Sequence, residues 1–128
     1  MRLLLDTHVL LWWHHEPSRL TEVSYDAIRD VDNEVFVSVV NGWEIQIKAQ
    51  LGKLALSRPL NDLFHQEQVT NDFRVLPVTM NHVYALAHFP LHHRDPFDRL
   101  LVAQAHEEGF TLVTHDPKLS AYSVSLLW

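Results

Sequence analysis

The sequence predicts an α/β fold built on a mainly parallel sheet, and three observations carry that prediction. Short apolar runs rich in leucine, valine and phenylalanine recur at residues 2–5, 35–39 and 110–114, the pattern of strands buried on both faces. Longer stretches between them place apolar residues at helical spacing. Acidic residues stand directly behind the first and the late runs, at Asp6 and Asp116. Strands that alternate with helical segments imply parallel crossovers, because parallel neighbours need a long connection.

Residues 2–5 (Arg-Leu-Leu-Leu) form the first strand and stop at Asp6. Residues 7–14 read as a helix with Thr7 as its cap. A second helix spans 21–32, opening at Thr21-Glu22-Val23-Ser24, and 35–39 is the second buried strand. The next segment fits two patterns. Trp43, Ile45, Ile47, Ala49 and Leu51 alternate with polar residues as in a strand, yet Val40, Trp43, Ile47, Leu51 and Leu54 share a helical face that Gly52 would close. Helix is the choice, since a strand directly after 35–39 would lack a usual hairpin turn. Residues 60–70 read as a helix, 74–76 as a short strand and 79–88 as a helix. Over 96–108, Pro96 sits in the first turn, Phe97, Leu100, Leu101 and Ala105 share a face, and Gly109 ends the helix. Residues 110–114 and 122–126 complete the strands.

Composition bounds the function. At 128 residues, 47% hydrophobic and 20% charged, the chain is expected to be one domain spanning 1–128 with its own core. The absence of cysteine excludes disulfides, thiolate metal sites and cysteine nucleophiles. No apolar run approaches the ~20 residues that span a bilayer, and the opening run is too short for a secretory signal, so a cytoplasmic protein is expected. Gly42, Gly52 and Gly109 are the three glycines, and their spacing makes no phosphate-cradling loop. Ten basic against 16 acidic residues give a net charge of −6. That argues against a broadly basic nucleic-acid surface. It leaves room for a nucleic-acid enzyme whose positive charge arrives as bound cations.

The acids then acquire meaning from their places. In parallel sheets, ligands bind outside the carboxyl ends of the strands. Asp6 and Asp116 lie at that edge, Glu44 opens the helix after the second strand, and Asp95 and Asp98 flank the start of helix 96–108. Singly, each has a plain structural reading: a helix cap for Asp6 or Asp95, a dipole partner for Asp98, a turn residue before Pro117 for Asp116, a solvated charge for Glu44. Packed together without a cation they would raise one another's pKa. A hard divalent ion resolves the conflict, and oxygen-only ligation suits Mg²⁺ or Mn²⁺. Such an ion equips a site for phosphodiester hydrolysis.

Four motifs in order make the chain familiar. Leu4-Leu5-Asp6-Thr7-His8, Trp43-Glu44-Ile45, the run from His93-Arg94-Asp95-Pro96-Phe97-Asp98-Arg99 through Ala105, and Leu112-Val113-Thr114-His115-Asp116 resemble the PIN domain family. The likeness is nearest to the VapC-type ribonuclease toxins of bacterial toxin–antitoxin modules. The resemblance implies a three-layer fold with about five parallel strands flanked by helices, with 43–51 helical. It implies that Asp6, Glu44, Asp98 and Asp116 are the catalytic and metal-holding acids, with Asp95 supporting them. It further implies Mg²⁺- or Mn²⁺-dependent RNA cleavage, a homodimer and a cognate antitoxin. His115 stands where the family often has arginine or asparagine.

Thr7 and Thr114 are candidates to orient a metal-bound water. Arg94, Arg99, Lys48 and Lys118 lie near the motifs and are candidate phosphate contacts, each also readable as a solvated charge. The ten histidines do not form a ligand pattern: His14-His15 and His92-His93 are neighbours that cannot share a helical face. His8 is the histidine nearest the predicted cleft. Trp12, Trp13 and Trp43 read as core or dimer surface before base-stacking platforms. A phosphatase of the haloacid dehalogenase type would need an aspartate where His8 stands, and a phospho-acceptor receiver module would need its aspartate after the third strand. A catalytically silent PIN fold that only binds is the alternative function.

Overall fold

The computed structural model describes residues 1–91 and 95–128. Strands β1 (Arg2–Leu5), β2 (Glu34–Ser38), β3 (Arg74–Leu76), β4 (Thr111–Val113) and β5 (Ser125–Leu127) form one sheet in the order β3-β2-β1-β4-β5. Every neighbouring pair is parallel. The helices are α1 (Thr7–His15), α2 (Glu22–Arg29), α3 (Val39–Gln50), α4 (Leu60–Asn71), α5 (Met80–Ala85) and α6 (Pro96–Glu108).

The alternation of a strand explains the layering. Leu3 and Leu5 enter one core with Val9, Leu10, Val37 and Ile45. Leu4, between them, enters the other with Val40, Leu101, Val102 and Leu112. All three leucines are fully buried, so β1 is the central strand of three layers. Truncating Leu4 to alanine would cost about 2–5 kcal/mol.

Helix α6 keeps its predicted bounds because both ends are chemically marked. Asp95 caps it through Phe97 N–H and Asp98 N–H, at 2.9 and 3.2 Å. Gly109 ends it with φ +71°, a left-handed turn that a side chain would oppose. Other boundaries differ from the sequence expectation. At α1 the cap is Asp6, whose Oδ1 accepts from Thr7 N–H at 2.7 Å, and Thr7 is the first helical residue. Helix α2 stops at Arg29, where Asp30 begins a turn instead of continuing to 32. Strand β2 ends at Ser38, which caps α3 through Val40 N–H at 2.9 Å and so starts that helix at Val39. Helix α5 tightens to a 3₁₀ turn over Leu86–His88, and a 3₁₀ turn over Pro117–Ala121 pushes β5 to 125–127.

A buried polar seam ties the far layer to the sheet edge. Ser38 Oγ donates to Gln104 Oε1 at 2.6 Å. Thr79 N–H donates to His82 Nδ1 at 3.0 Å, so the ring proton sits on Nε2 and points to Glu108 Oε1 at 2.9 Å. No helix among the described residues is long and apolar enough to cross a membrane.

Candidate active site

The sheet order contains one topological switch. Strands β1 and β4 are neighbours although more than a hundred residues separate them in the chain, and the crevice outside their carboxyl ends is where such folds place ligands. Asp6 leaves β1 here, and Thr114 and Asp116 leave β4. Glu44 lies in the second turn of α3, which starts where β2 ends. Helix α6 leads into β4, so it runs against the strands and begins at this same edge with Asp95 and Asp98. A cleft of about 310 Å³ is lined by all five acids: Asp6, Glu44, Asp95, Asp98 and Asp116. A larger groove of about 620 Å³ between α3 and α4 shares none of them.

Each acid is held by its own local structure. Asp6 is 4% exposed; its Oδ1 takes Thr7 N–H and its Oδ2 takes the Thr114 hydroxyl at 2.7 Å. Thr114 Oγ1 also accepts from Asp116 N–H at 3.1 Å, which couples the β1 acid to the β4 acid. Asp116 Oδ1 accepts from Lys118 N–H at 2.9 Å and starts the 3₁₀ turn. Glu44 Oε1 accepts from the Thr7 hydroxyl at 2.6 Å, and Asn41 Nδ2 donates to that same Thr7 oxygen at 3.0 Å and to the Leu5 carbonyl at 3.1 Å. Asn41 Oδ1 in turn accepts from Ser38 N–H at 2.6 Å. Thr7, Asn41 and Ser38 therefore lock α3 onto the end of β1. Glu44 Oε2 takes the Lys48 ammonium at 2.5 Å.

The electrostatics record the crowding. Asp98 is pushed up to about 8, first by burial and then by the charges of Asp6, Asp95, Glu44 and Asp116. Burial also raises Asp6, against the hydrogen bonds from Thr114 and Thr7, with Glu44 adding to the rise and His8 opposing it. Partial burial works to lower Lys48, but the hydrogen bond and charge of Glu44, with Asp95 and Asp98, leave its pKa raised. A divalent cation relieves this conflict, and the all-oxygen donor set is what Mg²⁺ and Mn²⁺ prefer. The residues thus fit such an ion, although among the described residues no three Asp, Glu or His side chains already close around a common point.

Other predicted site residues fall differently. Lys48 lines the cleft, while Lys118 is exposed and outside its lining. Arg99 reaches away, donating to the carbonyls of Leu86 and Phe89 at 3.4 and 3.2 Å. Arg94, with His92 and His93, lies outside the described residues. Thr7 and Thr114 sit behind the acids as their donors. His8, Trp12 and His115 form an aromatic wall, with Trp12 5.8 and 5.7 Å from the two imidazoles. Trp128 joins it, 5.0 Å from His115. Trp13 is instead core, against Tyr25 and Phe73. Trp43 is 51% exposed and meets Phe97 edge-on at 4.8 Å. Sequence reasoning passed over Ser38 and Asn41; the signal was their S-x-x-N spacing, a reciprocal cap.

A three-layer parallel fold with acids gathered at this switch point is the architecture of PIN domains. The PIN domain model matches residues 3–124, and the chain belongs to that family. It is 32% identical over 120 residues to Ribonuclease VapC22 of Mycobacterium tuberculosis, covering 93% of this chain and 90% of that protein. Among solved structures it is similar to VapBC2 of Rickettsia felis bound to a promoter DNA fragment, with a TM-score of 0.73 at 14% identity, covering 99% of this chain and 98% of that one. FitAcB of Neisseria gonorrhoeae is similar at a TM-score of 0.64 and 18% identity, covering 98% of this chain and 96% of that one. At such identities these two likenesses speak for the fold.

Proposed function

We propose that the chain is an endoribonuclease of the VapC type. It hydrolyses RNA phosphodiester bonds in a Mg²⁺- or Mn²⁺-dependent reaction and serves in the cytoplasm as the toxin of a type II toxin–antitoxin pair. The observation that carries this reading is the convergence of five carboxylates, from four separated segments, in one cleft. The identity to a ribonuclease supports it. Asp6, Glu44, Asp98 and Asp116 are the acids assigned to the ion and to catalysis, with Asp95 in support. A bound divalent ion supplies a water acidic enough to attack phosphorus near neutral pH.

The chain's own residues do the positioning. Thr7 and Thr114 fix the carboxylates of Glu44 and Asp6 through their hydroxyls, so the acids are oriented before substrate arrives. Lys118 N–H fixes one Asp116 oxygen at the cleft wall. Lys48 brings positive charge to meet a phosphate. The His8, Trp12 and His115 wall offers an unpaired RNA strand rings to lie against.

Two partners follow. The solved relatives named for toxin–antitoxin pairs support a protein antitoxin that covers the nuclease. Val39 and Trp43 on α3 and Met80, Val83 and Tyr84 on α5 are exposed apolar residues, a surface that a second copy of the chain would bury. Light scattering should then give twice the chain mass. The deciding experiment incubates the purified protein with a total RNA pool and Mg²⁺ or Mn²⁺. Discrete cleavage by the wild type, lost in Asp6→Ala and Asp116→Asn, is expected. A wild type that cuts no RNA overturns the reading in favour of a silent binding module.

A further inference from the structure

A chain of hydrogen bonds runs behind the cleft, and each link in it has one direction. Glu44 Oε1 accepts from the Thr7 hydroxyl at 2.6 Å, and the Thr7 oxygen accepts from Asn41 Nδ2 at 3.0 Å. The Asn41 amide cannot turn over, because its Oδ1 accepts from Ser38 N–H at 2.6 Å. The Ser38 hydroxyl accepts from Val40 N–H at 2.9 Å and gives its own proton to Gln104 Oε1 at 2.6 Å. Gln104 is fixed in turn, with Nε2 donating to the Pro77 carbonyl at 3.3 Å and to His82 Nδ1 at 3.4 Å. Ser38, Asn41, His82 and Gln104 are all fully buried. Gln104 is the member that no local role explains. It lies in the middle of α6, away from either cap. A buried amide is costly unless it is hydrogen-bonded, and for packing alone an apolar side chain of the same shape would serve as well. What the amide does is tie α6 to the first turn of α3. Those two helices carry Asp98 and Glu44.

We propose that Gln104 is a positioning residue for the acids of the cleft: through Ser38, Asn41 and Thr7 it sets the Glu44 carboxylate on α3 against the Asp98 carboxylate that its own helix carries. This rests on the ribonuclease reading and deepens it. His82 acts one step further back, holding the Gln104 amide so that its oxygen faces Ser38. Without that oxygen the Ser38 hydroxyl keeps a buried proton with no acceptor. It then turns away from Val40 N–H, the start of α3 loosens, and Asn41, Thr7 and Glu44 lose their common reference. Buried networks of this kind act as a unit, so cutting one link is felt at the others. Donors behind a metal site orient the ligands in front of them, and Gln104 extends that support from the sheet edge into the far layer.

The test is a double-mutant cycle on ion affinity, a quantity that a role in packing alone would not move. Mn²⁺ is titrated into wild type, Gln104→Met, Thr7→Val and the paired variant, with free Mn²⁺ read by electron paramagnetic resonance. Cleavage of an RNA pool is followed alongside, and circular dichroism checks folding. Gln104→Met keeps the side-chain length and removes the acceptor. It should weaken Mn²⁺ binding at least about fivefold, and Thr7→Val about tenfold. Both cut the same chain, so the pair should bind within about twofold of Thr7→Val alone. Glu67→Gln, a buried change in another part of the fold, should bind Mn²⁺ as wild type does. Ser38→Ala breaks the next link and should repeat the Gln104→Met result, so it takes that place in the cycle if Gln104→Met does not fold. A folded variant at either position that loses less than about fivefold overturns the inference. So does a pair in which the two losses multiply. Those failures with wild-type RNA cleavage intact leave the ribonuclease reading standing. A wild type that binds no Mn²⁺ and cuts no RNA sinks both.

Discussion

Two regions of this protein bury acids, and they do so in opposite ways. Between α1 and α4, Glu67 is 2% exposed and accepts from Trp13 Nε1 at 3.0 Å, His14 Nδ1 at 2.7 Å and Asn71 Nδ2 at 2.7 Å. At the switch point, Asp98 has Asp6, Asp95, Glu44 and Asp116 around it and is pushed up to about 8. A buried acid that the fold surrounds with donors is architecture, because the cost of desolvation is met inside the chain. A half-buried acid that the fold sets among more acids is poised for something from outside.

Exchanging amides for acids in the two regions tests this contrast. Asp6→Asn and Asp116→Asn keep shape but remove charge where the ion is assigned, and should lower RNA cleavage by on the order of 10³-fold or more. Glu67→Gln should leave cleavage within about twofold when measured well below its melting point. Its effect belongs to stability. One acceptor becomes a donor facing three donors, at about 1–3 kcal/mol, which urea unfolding would report as a lower midpoint with an unchanged slope. Equal loss of cleavage in both classes would erase the distinction.

A smaller effect sharpens it from behind the site. Thr7→Val is close to isosteric and removes the hydroxyl that joins Glu44 to Asn41. Outer-shell donors of this kind typically matter by about 10–100-fold in metal affinity or activity. A loss of about tenfold in cleavage is expected here, since the Lys48 contact still holds Glu44. A loss as large as that of Asp6→Asn would place Thr7 among the reacting groups and not behind them.

Much of this contrast was legible beforehand, and the reasons lie in particular residues. Asp95, Pro96 and Gly109 mark both ends of α6 chemically, so its bounds follow from the sequence. The shared edge of Asp6 and Asp116 follows from parallel strands alone, and the all-parallel sheet extends it to Asp98, because α6 must run antiparallel to the strand it feeds. Ser38 was hidden because β-branched and aromatic residues flank it on both sides from Val35 to Val40, so that a capping serine looks like one more strand residue. Asn41 was hidden with it, since its job depends on where the helix starts. Thr7 and Asp6 compete for the same cap, and local propensity cannot say that Thr7 spends its hydroxyl on a residue 37 positions away. Glu67 was hidden for another reason: two of its three donors, Trp13 and His14, arrive from another helix, and only tertiary packing brings them to it.

The mildest expected effect is on thermal stability without metal, and its sign separates the two regions. Burial and the surrounding carboxylates push the folded protein's Asp98 carboxyl up to about 8, from the 3.8 of an ordinary aspartate. Between those values the folded chain holds a proton that the unfolded chain has released, so stability must fall as pH rises through the window. Asp6 shifts in the same direction, through burial first. In chelator, wild type should therefore melt lower at pH 8.5 than at pH 6. Asp98→Asn has no charge to confine there. It should melt a few degrees above wild type at pH 8.5, with the gap closing towards pH 5. Added Mn²⁺ should act the other way, raising the wild-type midpoint more at pH 8.5 than at pH 6, because it competes with the proton for Asp98. Glu67→Gln should lie below wild type at both pH values. If Asp98→Asn melts below wild type at pH 8.5 in chelator, the cleft already satisfies its acids from within, and the two regions are of one kind.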